Sequence, residues 1–226
     1  MNADTIILWL LAIPLISSPI IYLVGRINIR RAAGDLRMEK NATAPSRWLA
    51  LAVLGTTWIP LINAGLVVSR NGHLRGFVGG IPINFDGISL LLAGTALTLG
   101  LLVAIFSMPY MAGEVGEEKY YALLPLMVGT MIGLGCANDL FNLWVWFEAM
   151  AVSSYLLVAF YARERGALEA GVKYLVQSAV GSVFVLVAIA IIFSQARTLR
   201  LDAIAASYAQ INGLTAPLNS IILAAG

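Results

Sequence analysis

The sequence predicts an all-α, polytopic membrane protein with six complete spans and the start of a seventh. Apolar residues make up 60% of the 226 positions and charged residues only 12%, whereas soluble proteins carry roughly a quarter charged residues. The apolar positions are grouped in stretches close to the ~20 residues that a spanning helix needs. Lysine and arginine are concentrated in alternate connections, as in polytopic proteins. Residues 1–226 are therefore predicted to form one membrane domain.

Hydropathy and helix length place each span in turn. The predicted spans are residues 5–24, 48–68, 87–111, 120–137, 140–161 and 168–193. A further apolar segment begins near Pro217, and the sequence given ends at Gly226 before this segment could cross. The first span has too long an apolar stretch for a cleaved signal peptide and no basic segment before it.

The connections between spans carry local structural signals. Residues 76–85 contain apolar runs on either side of a Gly-Gly pair, a pattern that fits a short external hairpin or an ordered irregular loop equally well. Asp86 and Asp139 each precede a span, where a carboxylate can accept from free N–H groups, so capping is favoured over a direct functional role. Residues 201–208 are predicted to form a short surface helix.

The distribution of basic residues predicts the orientation in the membrane. Connections after the first, third and fifth spans hold more basic residues than the others, namely Arg26, Arg30, Arg31, Arg37, Lys40, Arg47, Lys119, Arg163 and Arg165. The positive-inside rule then places the N-terminus outside and residues 25–47 in the cytoplasm.

Several chemistries are disfavoured by composition. The single cysteine, Cys136, allows no intramolecular disulfide and no cysteine-based metal site. The single histidine, His73, lies in a polar loop, so there is no pair for haem ligation between spans. The spans contain no nucleophile–base pair and no metal-ligand cluster, which argues against an intramembrane enzyme. We expect no cofactor and no nucleic-acid partner.

Two ionisable residues within the spans are the strongest functional signal. Glu148 lies near the middle of the fifth span and Lys173 lies within the sixth. A charge at bilayer depth costs at least ~2.5–3.5 kcal/mol, so such residues usually have a function. Helical geometry puts them ~9 Å apart in depth, a separation that suits transfer through water better than a direct bond.

Polar residues accompany both charges. On a helix, Trp144 and Tyr155 share a face with Glu148. Gln177 and Gly181 continue the line from Lys173, and Ser178 and Ser182 lie beside it. This polar, open stripe suits close helix packing or a chain of water molecules.

Structural explanations stand beside the functional one. Lys173 could pair with Glu169 one helical turn earlier, or extend its ammonium to the cytoplasmic boundary. A purely structural role fits Glu148 less well, because a carboxylate in mid-span cannot reach the boundary.

Four stretches resemble the antiporter-like membrane subunits of respiratory complex I, Mrp-type sodium/proton antiporters and membrane-bound hydrogenases. The main one is Asp-Leu-Phe-Asn-Leu-Trp-Val-Trp-Phe-Glu, residues 139–148, with Tyr155 beyond it. The others are Phe-Asp-Gly-Ile-Ser-Leu at 85–90, Ala-Gly-Val-Lys-Tyr at 170–174 with the serines after it, and Thr-Leu-Arg-Leu-Asp at 198–202. Together these motifs cover most of the chain, and the sequence around Glu148 most resembles that of the Mrp D type and its complex I counterparts.

The resemblance implies a role for each charged residue. Glu148 matches the family's fifth-span glutamate, one half of a proton-relay ion pair, and Lys173 matches its sixth-span lysine. Gln177, Ser178, Ser182 and Tyr155 are the supporting polar residues. The family has two inverted repeats of five spans, no redox centre of its own, and a seventh-span lysine that pairs with the glutamate. Its members are about twice as long, so the resemblance implies the N-terminal half of a subunit or one piece of a split protein.

Two functions therefore compete. The first is proton translocation, with sodium left open, by a subunit assembled with other membrane subunits in an energy-transducing membrane such as the bacterial inner membrane. The second is a structural or assembly subunit in which the charged residues only fix helix packing.

Overall fold

The computed structural model describes residues 3–32, 42–161 and 163–211, with side chains up to Tyr208. Six helices in these ranges are long and apolar enough to cross a membrane. They are α1 (Ala3–Ala32), α2 (Ala44–Asn71), α3 (Gly87–Tyr110), α4 (Glu117–Cys136), α5 (Leu140–Val158) and α6 (Arg165–Ala196). The chain is an integral membrane protein, and the predicted all-α bundle is confirmed.

The predicted span centres are correct, but several helix ends differ. Helix α1 continues through Arg26 and Arg30 to Ala32, eight residues beyond the predicted end at residue 24. Helix α4 begins at Glu117 rather than at residue 120, and α6 extends past both predicted ends. Hydropathy locates the apolar part of a helix, whereas backbone hydrogen bonding continues into polar residues outside the hydrocarbon.

The segment after α2 forms a hairpin, which was one of the two structures that the Gly-Gly pair predicted. Strands β1 (Leu74–Val78) and β2 (Ile81–Phe85) pair antiparallel, with Val78 opposite Ile81. Both linking residues, Gly79 and Gly80, have positive φ values of 60° and 83°. A turn with two left-handed residues matches the twist of paired strands and favours glycine.

Both predicted aspartate caps are present. The Asp86 carboxylate accepts from the N–H groups of Ile88 and Ser89, at 3.0 and 2.9 Å. The Asp139 carboxylate accepts from Phe141 and Asn142, at 2.9 and 3.1 Å. Each cap satisfies N–H groups that the first helical turn leaves free.

The core lies among the first four helices. Helix α1 packs chiefly against α2 and α4, and α4 also contacts α3 and α5. Fully buried members of the core include Ile7, Leu10, Leu54, Leu97 and Ile132. Helix α6 packs against α5 and leaves most of its side chains exposed in this chain. The bundle therefore has a packed side at α1–α4 and an open side at α6.

Backbone contacts join four elements at one end of the bundle. Ile83 of β2 bridges Ala137 after α4, and Asp139 bridges Arg200 after α6. The Leu140 N–H donates to the Leu199 carbonyl at 2.9 Å, and the Leu201 N–H donates to the Asn138 carbonyl at 3.1 Å. We call these paired segments the junction. It fixes the starts of α5 and of α7 (Leu201–Ile211), the short helix predicted at 201–208.

Two predictions lie outside the described residues. These are the seventh apolar segment near Pro217 and the basic loop positions Arg37 and Lys40.

Candidate functional site

Glu148 lies near the middle of α5, as predicted, and its side chain is half-buried. Its Oε1 atom is buried and has no hydrogen-bond partner among the described residues. The same holds for the Asn142 Nδ2 and Trp146 Nε1 atoms on this helix. Buried polar atoms are normally satisfied by protein groups or by ordered water. Helix α5 is therefore suited to hold water molecules at several depths.

The interface between α5 and α6 contains a direct polar contact and an open space. The Trp144 Nε1–H donates to the Ser182 Oγ at 2.7 Å. Ser182, one of the predicted supporting residues, is buried, and this hydrogen bond links the two helices. Nearby is a cavity of about 330 Å³ whose walls include Phe147, Gln177 and Ser178. A space of this size with polar side chains in its wall can hold several water molecules.

Lys173 makes the local ion pair that the structural explanation predicted. Its Nζ lies 2.6 Å from Glu169 Oε1, and the two side chains are 74% and 65% exposed in this chain. The pair lies on the open face of α6, whereas Glu148 lies on the helix that packs beneath it. The arrangement leaves Glu148 without an ammonium partner among the described residues.

The remaining predicted residues are distributed around this region. Gln177 and Ser178 line the α5–α6 cavity. Tyr155 is half-buried on α5, two turns from Glu148 toward the basic end of the bundle. Of the supporting residues, Ser182 has the best-defined role, because it accepts the hydrogen bond from Trp144.

A second buried carboxylate was missed by sequence reasoning. Glu117 opens α4 with a fully buried side chain, and Arg47 of α2 lies against it with Nη2 2.7 Å from Oε1. The Arg47 Nε–H also donates to Oε1 at 2.9 Å, and the Thr43 hydroxyl donates to Oε2 at 2.7 Å. The Gly113 N–H completes the set at 3.1 Å. A carboxylate with this many donors is well satisfied, and it ties α2 to α4.

The next residue, Glu118, is also buried, with 2% of its surface exposed. Its Oε2 has no hydrogen-bond partner among the described residues. Helix α1 comes so close here that a Cβ added at Gly25 would lie 2.3 Å from the Glu118 Cβ. The only sequence signal for these residues is a Glu-Glu pair at the start of a span, which looks like an ordinary acidic first turn.

Two family models match this chain and together account for more than half of it. The model described as NADH:quinone oxidoreductase/Mrp antiporter, TM, matches residues 137–226. The model described as NADH-Ubiquinone oxidoreductase (complex I), chain 5 N-terminus, matches residues 75–121. The first match includes Glu148, Lys173 and all the supporting residues.

Individual relatives agree with the family models. The chain is 30% identical to NADH-quinone oxidoreductase subunit L of Escherichia coli strain K12 over 187 residues, which is 80% of this chain and 30% of that protein. It is 32% identical over 167 residues to subunit N from Chloroflexus aggregans, covering 74% of this chain and 34% of the relative. The chain thus spans about a third of the length of these two relatives.

A solved structure shares the fold. It is that of the membrane-bound sulfane sulfur reductase, an archaeal respiratory membrane complex. The TM-score is 0.71 at 25% identity, over 89% of this chain and 40% of the matched chain. Helical bundle, matched motifs and relatives agree, and the chain belongs to the family of antiporter-like membrane subunits.

Proposed function

We propose that this chain translocates protons as part of a multisubunit respiratory or antiporter complex, with Glu148 as the carboxylate that takes up and releases the proton. The observation that carries the proposal is the Glu148 Oε1 atom, which is buried in mid-helix and has no partner among the described residues. A carboxylate held without a fixed partner can exchange protons with water or with a mobile ammonium group. A carboxylate with a full set of donors, such as Glu117, is instead held in place by its hydrogen bonds.

The surroundings of Glu148 supply the elements of a relay. The walls of the cavity between α5 and α6 include Phe147 and Ala151, which lie on either side of Glu148 along α5. Gln177 and Ser178 in the same wall can donate to and accept from water. We infer that water in this cavity links Glu148 to the polar stripe of α6.

Lys173 has a modulating role in this proposal. Its ion pair with Glu169 is exposed in this chain, and an exposed ion pair within a bilayer is costly unless protein or water covers it. If protein covered this pair, the electrostatic field of the Lys173 ammonium at Glu148 would be stronger, because less water would screen it. Exchange of Lys173 between Glu169 and a second carboxylate would then alter the proton affinity of Glu148.

Three further points of the proposal rest on the relatives and on charge. NADH-quinone oxidoreductase subunits are among the relatives, so other membrane subunits are the expected partners. The bundle end that carries Arg26, Arg47 and Lys119 is assigned to the cytoplasm by the positive-inside rule, which puts the N-terminus outside. An energy-transducing membrane, such as the bacterial inner membrane, is the matching location, and sodium is the alternative ion.

The proposal predicts that Glu148→Gln abolishes coupled proton movement and leaves assembly intact, because glutamine keeps the shape but cannot release a proton. The measurement is pH-dye quenching in sealed vesicles that hold the intact complex, normalised to complex abundance on blue-native gels. Glu164→Gln, at an exposed position before α6, is the matched control and should pump normally. Normal pumping by Glu148→Gln would refute the proposal.

The same experiment tests the structural alternative. If Glu148 only fixes helix packing, its substitution should lower complex abundance and leave turnover per complex unchanged. That pattern would favour an assembly subunit over a proton-conducting one.

A further inference from the structure

A groove runs into the bundle between α1, α4, α5 and the start of α6, and its walls share no residue with the α5–α6 cavity. Its volume is about 690 Å³. The walls are mostly apolar and include Pro19, Leu123, Leu126, Leu156 and Leu168. From Lys119 to Leu126 the groove follows α4 for ~10 Å, calculated from the helical rise. This depth matches the upper part of a lipid acyl chain.

The mouth of the groove is polar and basic. Lys119 and Tyr22 lie among its walls, and both side chains are exposed. Within the described part of the chain, no carboxylate lies within 4 Å of the Lys119 ammonium. Arg26 follows Tyr22 by one helical turn and so lies on the same face of α1. The mouth therefore carries positive charge where a lipid headgroup would sit.

One wall of the groove is rigid. The Phe160 ring forms part of it and meets Tyr120 edge to face, with ring centroids 5.8 Å apart. It meets Tyr161 in the same way at 5.1 Å. Edge-to-face pairs of this kind stabilise a fixed ring position. The groove is thus formed before any ligand enters.

We propose that this groove binds an anionic phospholipid, with the phosphate at Lys119 and Arg26 and one acyl chain along Leu123 and Leu126. Basic pockets between transmembrane helices on the cytoplasmic side are typical sites for anionic headgroups. The charge of the mouth selects an anionic headgroup over a zwitterionic one, and the apolar depth selects a lipid over a free phosphate. The proposal is independent of proton transfer at Glu148.

The test is native mass spectrometry of the full chain in detergent, titrated with phosphatidylglycerol and with phosphatidylcholine. The wild-type chain should retain phosphatidylglycerol preferentially. Lys119→Gln should weaken phosphatidylglycerol binding about fivefold, since one basic residue near the surface contributes roughly 1 kcal/mol. It should leave phosphatidylcholine binding unchanged.

Two further variants separate the headgroup from the acyl chain. Leu126→Trp fills the apolar part and should weaken both lipids. Arg31→Gln is the matched control, because Arg31 is exposed at the same end of α1 but on the opposite face from Tyr22. Equal binding of the two lipids by the wild-type chain would overturn the proposal. So would a polypeptide that copurifies with the chain and is displaced by Leu126→Trp, because the groove would then be a protein contact.

Discussion

The buried pair between Glu117 and Arg47 gives the sharpest test of the packing. Glu117→Gln removes the charge and keeps the size, so Arg47 loses its counterion at a site where 18% of the arginine side chain is exposed and none of the glutamate. Removal of one partner from a buried ion pair typically costs 3–5 kcal/mol, because the other charge stays buried and uncompensated.

The magnitude also follows from the individual hydrogen bonds. Arg47 donates twice to Glu117 Oε1, and Thr43 and Gly113 donate to Oε2. Glutamine can accept through one oxygen only, so the two hydrogen bonds to either Oε1 or Oε2 are lost. Hydrogen bonds to a charged group are worth about 1.5–3 kcal/mol each, and loss of two of them agrees with the range for a broken pair.

The assay is thermal unfolding in detergent, followed by tryptophan fluorescence. For a chain of this size, 3–5 kcal/mol corresponds to a fall in Tm of roughly 6–20 °C. Glu114→Gln is the matched control, because Glu114 is an exposed acid in the loop just before α4 and should change Tm by less than about 2 °C. The double variant Glu117→Met with Arg47→Met should recover part of the loss, since an apolar pair leaves no buried charge but gives the Thr43 and Gly113 donors no acceptor. Equal Tm values for the two single variants at positions 114 and 117 would refute the reasoning.

Two further predictions concern close packing and capping. A Cβ at Gly133 would lie 2.5 Å from the Trp146 ring, so Gly133→Ala should destabilise the bundle by about 1–3 kcal/mol. Gly135→Ala is the control, because its Cβ would meet Leu92 at an ordinary 3.4 Å and should leave the stability unchanged. Equal Tm values for the two variants would contradict the prediction. Asp86→Ala should cost about 1 kcal/mol through loss of the α3 cap, measured by the same unfolding assay. The N–H of Ser89 holds the pKa of the Asp86 carboxyl below its ordinary value. The cap therefore stabilises fully above the ordinary carboxyl pKa and is lost as pH falls through the lowered value, a pH dependence that Asp86→Asn should lack.

Local signals predicted much of the fold. The Gly-Gly pair indicated the hairpin as one of two outcomes, and Asp86 and Asp139 indicated the two caps, because each signal acts within a few residues of itself. Apolar length predicted the six helices for the same reason. Helix ends such as Ala32 were missed, since arginine-rich sequence is compatible with either a loop or a helix that leaves the membrane.

Contacts between distant segments were beyond sequence reasoning. Glu117 and Arg47 are 70 positions apart, and neither residue stands out in a basic loop or an acidic first turn. The Lys173–Glu169 pair is the opposite case, because its spacing of four made it predictable as an alternative. The assignment of Glu148 as a relay residue is a prediction that awaits the pumping experiment.

The junction at the hairpin end of the bundle has a consequence for divergence. Its contacts at residues 83, 137–140 and 199–201 are made by the peptide backbone, so almost any residue except proline can occupy most of these positions. Apart from Ile83, which is buried in the core, and Asp139, whose side chain caps α5, the side chains there can change while α5 keeps its starting point and its angle of entry. A residue of α5 such as Glu148 can then keep its depth even when the side chains at these positions differ. Deep mutational scanning should find intolerance to most substitutions at Ile83 and Asp139, and intolerance mainly to proline at the other junction positions.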